Sequence, residues 1–226
     1  MSKKEFLTLL GTFVFSVLSI LYSLETSYFV SLLYGNTVTI YSLTIGSYML
    51  FLGLGAILYE KLKGLGVSVL LFTETLLSLV AFFAPLGISY VSSLFIPYTY
   101  KILFSFFVLG VIGLFSGIEL PLLMGLNESR VSYVIGADYA GGLVGSLLYV
   151  FYLLPNVDTV AIFYYTAFFN LFFAISFYLL YTGFKDVKKP LFVVVVLLLG
   201  ISFYAKAVKE SKYYFINKRL SLKVYL

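Results

Sequence analysis

Long runs of apolar residues, separated by short stretches rich in polar residues, glycine or proline, dominate this chain. Most runs are about 20 residues or longer, which is the length that an α-helix needs to cross a bilayer. Four consecutive valines, Val193–Val196, also suit a strand, but a lone strand cannot satisfy its backbone hydrogen bonds in lipid. The pattern predicts an all-α, polytopic transmembrane bundle of about seven helices, at residues 6–33, 38–58, 65–84, 101–124, 131–154, 159–182 and 191–205.

Turn-forming residues set the ends of the predicted helices. Tyr34-Gly35-Asn36 predicts a tight turn after the first helix, and Pro85 with Gly87 predicts an end to the third. The uncharged aromatic stretch 88–100 suits an interfacial or re-entrant segment. Residues 206–226 form a basic amphipathic tail, distinct from the transmembrane domain predicted over residues 1–205.

Composition supports a membrane protein and excludes several kinds of chemistry. The chain is 62% hydrophobic and 11% charged, whereas soluble domains carry about a quarter charged residues. It has no cysteine and no histidine, which removes disulfides, thiolate metal sites and the most common zinc and haem ligand. We therefore expect no cofactor, no metal site and no catalytic residue. The net charge of +5 comes from predicted loops and the tail, a pattern typical of membrane topology rather than nucleic-acid binding.

The distribution of basic residues predicts the orientation of the helices. With a cytoplasmic N-terminus, the first six helices leave only Lys101 outside and place the following basic residues inside: Lys3, Lys4, Lys61, Lys63, Arg130, Lys185, Lys188 and Lys189. This bias predicts a multi-pass protein of the cell (inner) membrane with its N-terminus in the cytoplasm. A seventh crossing would place the tail, with its six basic residues, on the outer side of the membrane. The side on which the tail lies therefore stays open.

Four acidic residues fall within the predicted helices and form a candidate cation or proton site: Glu25, Glu74, Glu119 and Asp138. An acid at mid-helix costs about 2.5–3.5 kcal/mol on insertion scales and normally faces protein or a cavity. The last three share a predicted depth of roughly 10–13 Å from the cytoplasmic helix ends, whereas Glu25 lies in the outer half. Each must be protonated, hydrogen-bonded or neutralised by a bound cation. The alternative is that these acids only fix helix packing.

Small residues recur one turn apart on the predicted fourth and fifth helices, at Gly113 and Gly117 and at Gly141 and Gly145. Such stripes let two helix backbones approach closely. Because these helices are consecutive, we expect the stripes to bring them together. Glu119 and Asp138 would then line one polar cavity open to the cytoplasm, with carboxyl groups within roughly 4–6 Å. The alternative role of the glycines is close packing alone.

Several motifs occur in an order that resembles a known family. They are Tyr22 with residues 34–39 and 42–46, Gly117-Ile118-Glu119-Leu120-Pro121-Leu122-Leu123-Met124, the segment 137–146 that contains Asp138, and Asn170 in the next helix. Together they resemble the membrane domain of the membrane-embedded spermidine-synthase-like (polyamine aminopropyltransferase) proteins. In that family an acid directly follows the tyrosine, whereas here Ser23 follows Tyr22 and the acid comes at Glu25.

The resemblance implies the membrane domain of this family without the family's catalytic domain. Family members continue into a soluble aminopropyltransferase domain, but the multi-glycine runs of this chain lie inside predicted helices and not after a strand. We therefore expect a chain that lacks the catalytic domain and supports aminopropyltransferase activity only through a separate catalytic subunit. Three functions stay open: an anchor or conduit for a small cation such as a polyamine, a secondary transporter or proton-coupled permease, and a structural subunit of a membrane complex. The expected partners are the lipid bilayer, a separately encoded aminopropyltransferase subunit, a polyamine and a second copy of the chain, with no nucleic acid.

Overall fold

The computed structural model describes residues 1–35, 38–63, 66–190 and 192–194. A 3₁₀ turn at Glu128–Arg130 leads into the helix Val131–Leu148, and a π-helical segment at Tyr149–Leu153 joins that helix to the short helix Leu154–Asn156. The helices are α1 (Lys3–Tyr34), α2 (Val38–Tyr59), α3 (Val67–Ser93), α4 (Tyr98–Leu126), α5 (Val131–Leu148), α6 (Leu154–Asn156) and α7 (Thr159–Thr182). The described residues contain no strand, so the prediction of an all-α bundle is confirmed.

Six helical stretches are long and apolar enough to cross a membrane: α1 to α4, the continuous stretch Glu128–Asn156, and α7. All six belong to one compact unit, residues 1–185, while residues 186–226 form a second. In the second unit, residues 188–190 and 192–194 are helical, and Lys189 pairs with Asp186 at 3.1 Å. The rest of the predicted seventh helix and the whole tail lie outside the described residues.

The third helix is longer than the sequence predicted. α3 continues through Pro85 and Gly87 to Ser93, and α4 begins at Tyr98. The predicted break at Pro85 was therefore wrong, and of the stretch 88–100 only residues 94–97 lie outside a helix. Proline removes one backbone donor, but transmembrane helices tolerate this because neighbouring helices and local adjustments satisfy the freed groups. Pro85 is indeed buried against the rest of the bundle.

Local sequence accounts for the ends of α1 and α7. Ser2 and Glu5 form a capping box, in which each side chain accepts a hydrogen bond from the other residue's backbone N–H, at 3.2 and 3.1 Å. The Asp158 carboxylate caps the first turn of α7. Gly183 ends that helix in the left-handed conformation, at φ 65°, where glycine carries no steric penalty.

The bundle is arranged around α1, which contacts α2, α3, α4, α5 and α7. α4 packs against α2 and α3, and α3 packs against α7. Ring contacts set α1 antiparallel to α7: Phe15 meets Phe173 and Phe177, at centroid distances of 5.1 and 5.7 Å, and Phe29 meets Phe163 at 5.6 Å. Residues near the middle of α1 therefore lie level with the middle of α7.

The glycines of α4 face α2. A Cβ placed on Gly113 would lie 2.7 Å from the Tyr48 carbonyl oxygen, and one on Gly117 would lie 2.8 Å from Leu52 Cα. Gly55 of α2 faces α4 in return, so the two backbones cross at close range. This crossing has room for hydrogen atoms but not for methyl groups.

The glycines of α5 face α1 instead. A Cβ on Gly141 would lie 2.9 Å from Ser16 Cβ, and one on Gly145 would lie 2.8 Å from the Val17 carbonyl oxygen. α5 packs mainly on α1 and touches α4 only slightly. The expectation that the two glycine stripes meet each other was therefore wrong, because a stripe of small residues shows which face packs closely but not against which helix.

Candidate functional site

A buried carboxyl and a buried carboxamide meet between α3 and α7. Asn170 Nδ2 donates hydrogen bonds to Glu74 Oε2 at 2.9 Å and to Ser78 Oγ at 3.2 Å. Ser78 lies one turn after Glu74, so both side chains emerge from the same face of α3. Glu74 is 1% exposed and Asn170 is fully buried. The Asn170 amide therefore donates to one carboxyl oxygen of Glu74 and orients that carboxyl group.

Tyr22 of α1 completes what we call the central polar cluster, namely Tyr22, Glu74, Ser78 and Asn170. Its fully buried hydroxyl lies near the side chains of Ser78 and Asn170. Three buried polar atoms of the cluster have no hydrogen-bond partner among the described residues: Tyr22 Oη, Glu74 Oε1 and Asn170 Oδ1. An unsatisfied buried polar group costs about 1–3 kcal/mol. The Tyr22 hydroxyl can donate to only one of the two free oxygens, so with an ionised Glu74 the described residues leave this cluster at least one hydrogen-bond donor short.

Glu119 brings a second carboxyl towards this cluster from α4. It is buried, and its carboxyl lies within electrostatic range of the carboxyls of Glu74 and Asp138. No lysine or arginine among the described residues is buried. Carboxylates that share a low-dielectric site cannot all stay ionised without a counter-charge, so a proton or a cation must accompany them.

Asp138 lies at the edge of this group, half-buried on α5. Its backbone carbonyl accepts a 2.6 Å hydrogen bond from Ser16 Oγ of α1, and the same hydroxyl lies beside its carboxyl. The Tyr48 hydroxyl of α2, which is hydrogen-bonded to Ser19 Oγ at 2.7 Å, is within electrostatic range of both Asp138 and Glu119. The carboxyl separation of 4–6 Å between Glu119 and Asp138 stays a prediction.

Glu25 is placed apart from the other three acids. It is fully buried on α1, and neither of its carboxyl oxygens has a hydrogen-bond partner among the described residues. The hydroxyls of Tyr22 and Tyr149 lie within electrostatic range of its carboxyl. The structure thus brings Glu74, Glu119 and Asp138 towards one another and leaves Glu25 on the far side of Tyr22.

The free atoms of the site are oxygens, which suit a cation. In the described part of the chain, no three acidic side chains are arranged to hold a metal. The free atoms of the central polar cluster are a carboxyl oxygen, an amide oxygen and a phenol hydroxyl, and all three can accept hydrogen bonds. An ammonium group offers three N–H donors and a positive charge, and so matches both requirements.

Ser78 and Tyr149 are among the residues of these polar groups that sequence reasoning missed. Ser78 carries a signal that was available, because it lies four residues after Glu74 and therefore on the same helix face. Tyr149 carries none: it is one of 21 tyrosines in the chain, and nothing in its neighbours marks it as buried.

Known proteins were compared with the chain by family, by sequence and by structure. No family model and no solved structure matches it. Polyamine aminopropyltransferase 2 of Streptomyces coelicolor is 32% identical over 171 residues, which are 67% of this chain and 30% of that protein. The polyamine aminopropyltransferase of Leptospira interrogans is 30% identical over 154 residues, or 66% of this chain and 30% of that protein. The polyamine aminopropyltransferase of Oceanobacillus iheyensis is 31% identical over 133 residues, which are 55% of this chain and 26% of that protein.

These matches support the resemblance read from the motifs. The chain spans less than a third of the length of the curated relatives that it matches. It is thus related in sequence to polyamine aminopropyltransferases over as much as two thirds of its own length.

Proposed function

We propose that these helices form a membrane domain of spermidine-synthase-like type that binds a small organic cation, such as a polyamine, at the central polar cluster and Glu119. The observation that carries the proposal is the buried Glu74 carboxyl, which has one oxygen without a donor and an unpartnered amide oxygen and phenol hydroxyl close by. No buried lysine or arginine of the described residues supplies the missing positive charge. An ammonium group of the ligand would supply both the charge and the N–H donors.

The relatives make a polyamine the first ligand to test, because their names describe them as polyamine aminopropyltransferases. A polyamine carries two or more ammonium groups on one chain, and this site offers more than one carboxyl. Glu119 lies within electrostatic range of Glu74, and the half-buried Asp138 extends the acidic group towards the surface of the bundle. The domain would hold the cation in place without chemistry of its own.

In this proposal the domain serves as an anchor or conduit for an aminopropyltransferase. Within these 226 residues, no glycine-rich nucleotide loop follows a strand. A cytoplasmic N-terminus would place Glu74, Glu119 and Asp138 nearer the cytoplasmic side. The 3.3 Å ion pair between Glu5 and Arg130 supports a shared side for the start of α1 and the connection between α4 and α5.

A thermal unfolding assay with spermidine tests the proposal. A ligand at 100 times its Kd stabilises a folded protein by about 2.7 kcal/mol, so the wild-type chain should unfold several degrees higher at saturation. Glu74→Gln and Glu119→Gln keep the shape of the side chain but remove its charge, and they should lose most of that shift. Glu128→Gln is the matched control, because Glu128 is exposed. A wild-type chain that does not respond, or a Glu128→Gln variant that loses the shift equally, would contradict the proposal.

A secondary transporter is the second candidate, and the graded burial of the acids favours it. Asp138 is half-buried while Glu119 and Glu74 are buried, so a cation could pass from an accessible carboxyl to enclosed ones. Uptake of labelled spermidine into liposomes that contain only this chain would support transport. If the chain neither binds nor moves spermidine, and Glu74→Gln only lowers stability, the acids have the structural role of the third candidate function.

A further inference from the structure

Glu25 lies at the junction of two apolar clusters. On α1 it follows Leu21 by four residues and Tyr22 by three, so it emerges one turn beyond both. Tyr22 belongs to the main core with Phe163 and Ala167 of α7, whereas Leu21 packs in a smaller cluster around Tyr149. The Glu25 carboxyl is fully buried there, and neither oxygen has a partner among the described residues.

Tyr149 adds a second unpartnered polar group to this junction. Its side chain is 3% exposed, and its hydroxyl has no hydrogen-bond partner among the described residues. It is the first residue of the π-helical segment, and such segments occur frequently at functional sites. The Tyr149 hydroxyl lies within electrostatic range of Glu25, so this junction holds a buried carboxyl and a buried phenol hydroxyl that both lack a partner among the described residues.

Tyr22 connects this junction to the central polar cluster. Its hydroxyl lies within electrostatic range of both Glu74 and Glu25. Three residues of α-helix separate Tyr22 from Glu25, which is about 4.5 Å along the axis. On the facing side of α7, Asn170 is followed towards the level of Glu25 by Ala167 and then Phe163. Apart from the buried Thr166, which lies four residues before Asn170, the residues on this face of α7 between the two levels are apolar, and the methylene chain of a linear amine would lie against them.

We infer that Glu25 and Glu74 are the two anionic ends of one elongated site, which takes a linear diamine or polyamine with one ammonium group at each end. The inference rests on the proposed function, because Glu74 is the carboxyl that binds the first ammonium group. Tyr22 lies beside the ligand between the two ends, and Tyr149 helps to hold the second ammonium group. A monoamine fills only one of the two ends at a time.

Calorimetric titration of the full chain in lipid nanodiscs tests the inference, with α,ω-diamines of three to six carbons and monoamines of equal length. A second tethered contact raises affinity by 10²-fold or more, so the best diamine should bind the wild-type chain about 100 times more tightly than its monoamine. Glu25→Gln should bring the diamine to the level of the monoamine. Glu74→Gln should weaken both, and Glu128→Gln, an exposed site, should weaken neither.

The outcomes separate the two proposals. A wild-type chain that binds no amine contradicts the proposed function and this inference together. A wild-type chain that binds amines, but whose preference for diamines survives in Glu25→Gln, contradicts this inference alone. If Glu25→Gln does not fold, Glu25→Asp keeps the charge on a shorter side chain. It should keep the preference for diamines and shift the optimum to a longer diamine, and an unshifted optimum would overturn the inference.

Discussion

Gly117→Ala should destabilise the protein even though alanine is the better helix former. A Cβ at this position would lie 2.7 Å from the Leu52 carbonyl carbon and 2.8 Å from its Cα. Two carbon atoms pack at about 3.5–4.0 Å, and these atoms belong to the backbone of α2, which cannot rotate away. The helices α2 and α4 must therefore separate by about 1 Å at their crossing.

Two opposed contributions determine how much Gly117→Ala changes the stability of the protein. Overpacking a close contact costs about 1–3 kcal/mol, whereas replacing glycine by alanine in a helix gains about 0.8–1.0 kcal/mol. Gly55 on α2 makes the reciprocal approach to Leu114 of α4, so the same separation also loosens that contact. Because α2 packs mainly on α4, no other helix replaces the packing that this separation removes. We expect a net loss of up to about 2 kcal/mol relative to the wild type, and of about 1–3 kcal/mol relative to a glycine-to-alanine change that meets no neighbour.

Unfolding by SDS in mixed micelles, followed by circular dichroism, measures this loss. Gly136→Ala is the matched control, because no atom lies within 4 Å of a Cβ at that position of α5. The control should be as stable as the wild type or more so. If Gly117→Ala proved as stable as Gly136→Ala, the close crossing of α2 and α4 would be refuted.

Three further changes test other parts of the structure. Asn170→Leu removes the hydrogen-bond donor to Glu74 and Ser78 and should cost about 1–3 kcal/mol of stability in the same unfolding assay. The control Asn156→Leu, at an exposed amide that donates to the Tyr152 carbonyl, should cost clearly less. Equal losses would contradict the buried network. Glu60→Gln breaks an exposed 2.7 Å pair with Lys63, so it should leave stability unchanged and lower the pKa of Lys63, which the hydrogen bond to Glu60 raises, as NMR titration would show. The purified chain alone should not convert putrescine with decarboxylated S-adenosylmethionine, and any turnover in a coupled assay would refute the non-catalytic role.

The sequence predicted the helices well because their signal is local. A run of apolar residues long enough to cross a bilayer has few alternatives in lipid, and α7 begins and ends at the predicted residues, Thr159 and Thr182. The one clear error in the helices, at Pro85, arose from applying a rule for helices in water to a helix in a membrane. There the surrounding protein makes up for the missing backbone donor.

The arrangement of the site could be predicted only in part, because it depends on which helices meet. Burial of Glu74 and Glu119 follows from the cost of an acid in lipid, which a single helix already reveals. The hydrogen bond between Glu74 and Asn170 joins residues 96 positions apart, and no spacing along the chain encodes it. Likewise, the stripe of Gly141 and Gly145 marks a close-packed face, but only the tertiary structure shows that α1 covers it.

Photocrosslinking tests the central claim, that a polyamine binds among the buried acids, most directly. A spermidine analogue with a small diazirine group would be irradiated with the chain in nanodiscs, and the labelled peptides would be identified by mass spectrometry. We expect labels on α1, α3 and α7 around the central polar cluster, displaced by excess spermidine and absent in Glu74→Gln. Labels confined to exposed acids such as Glu60 and Glu128, or labels that excess spermidine does not displace, would contradict this claim.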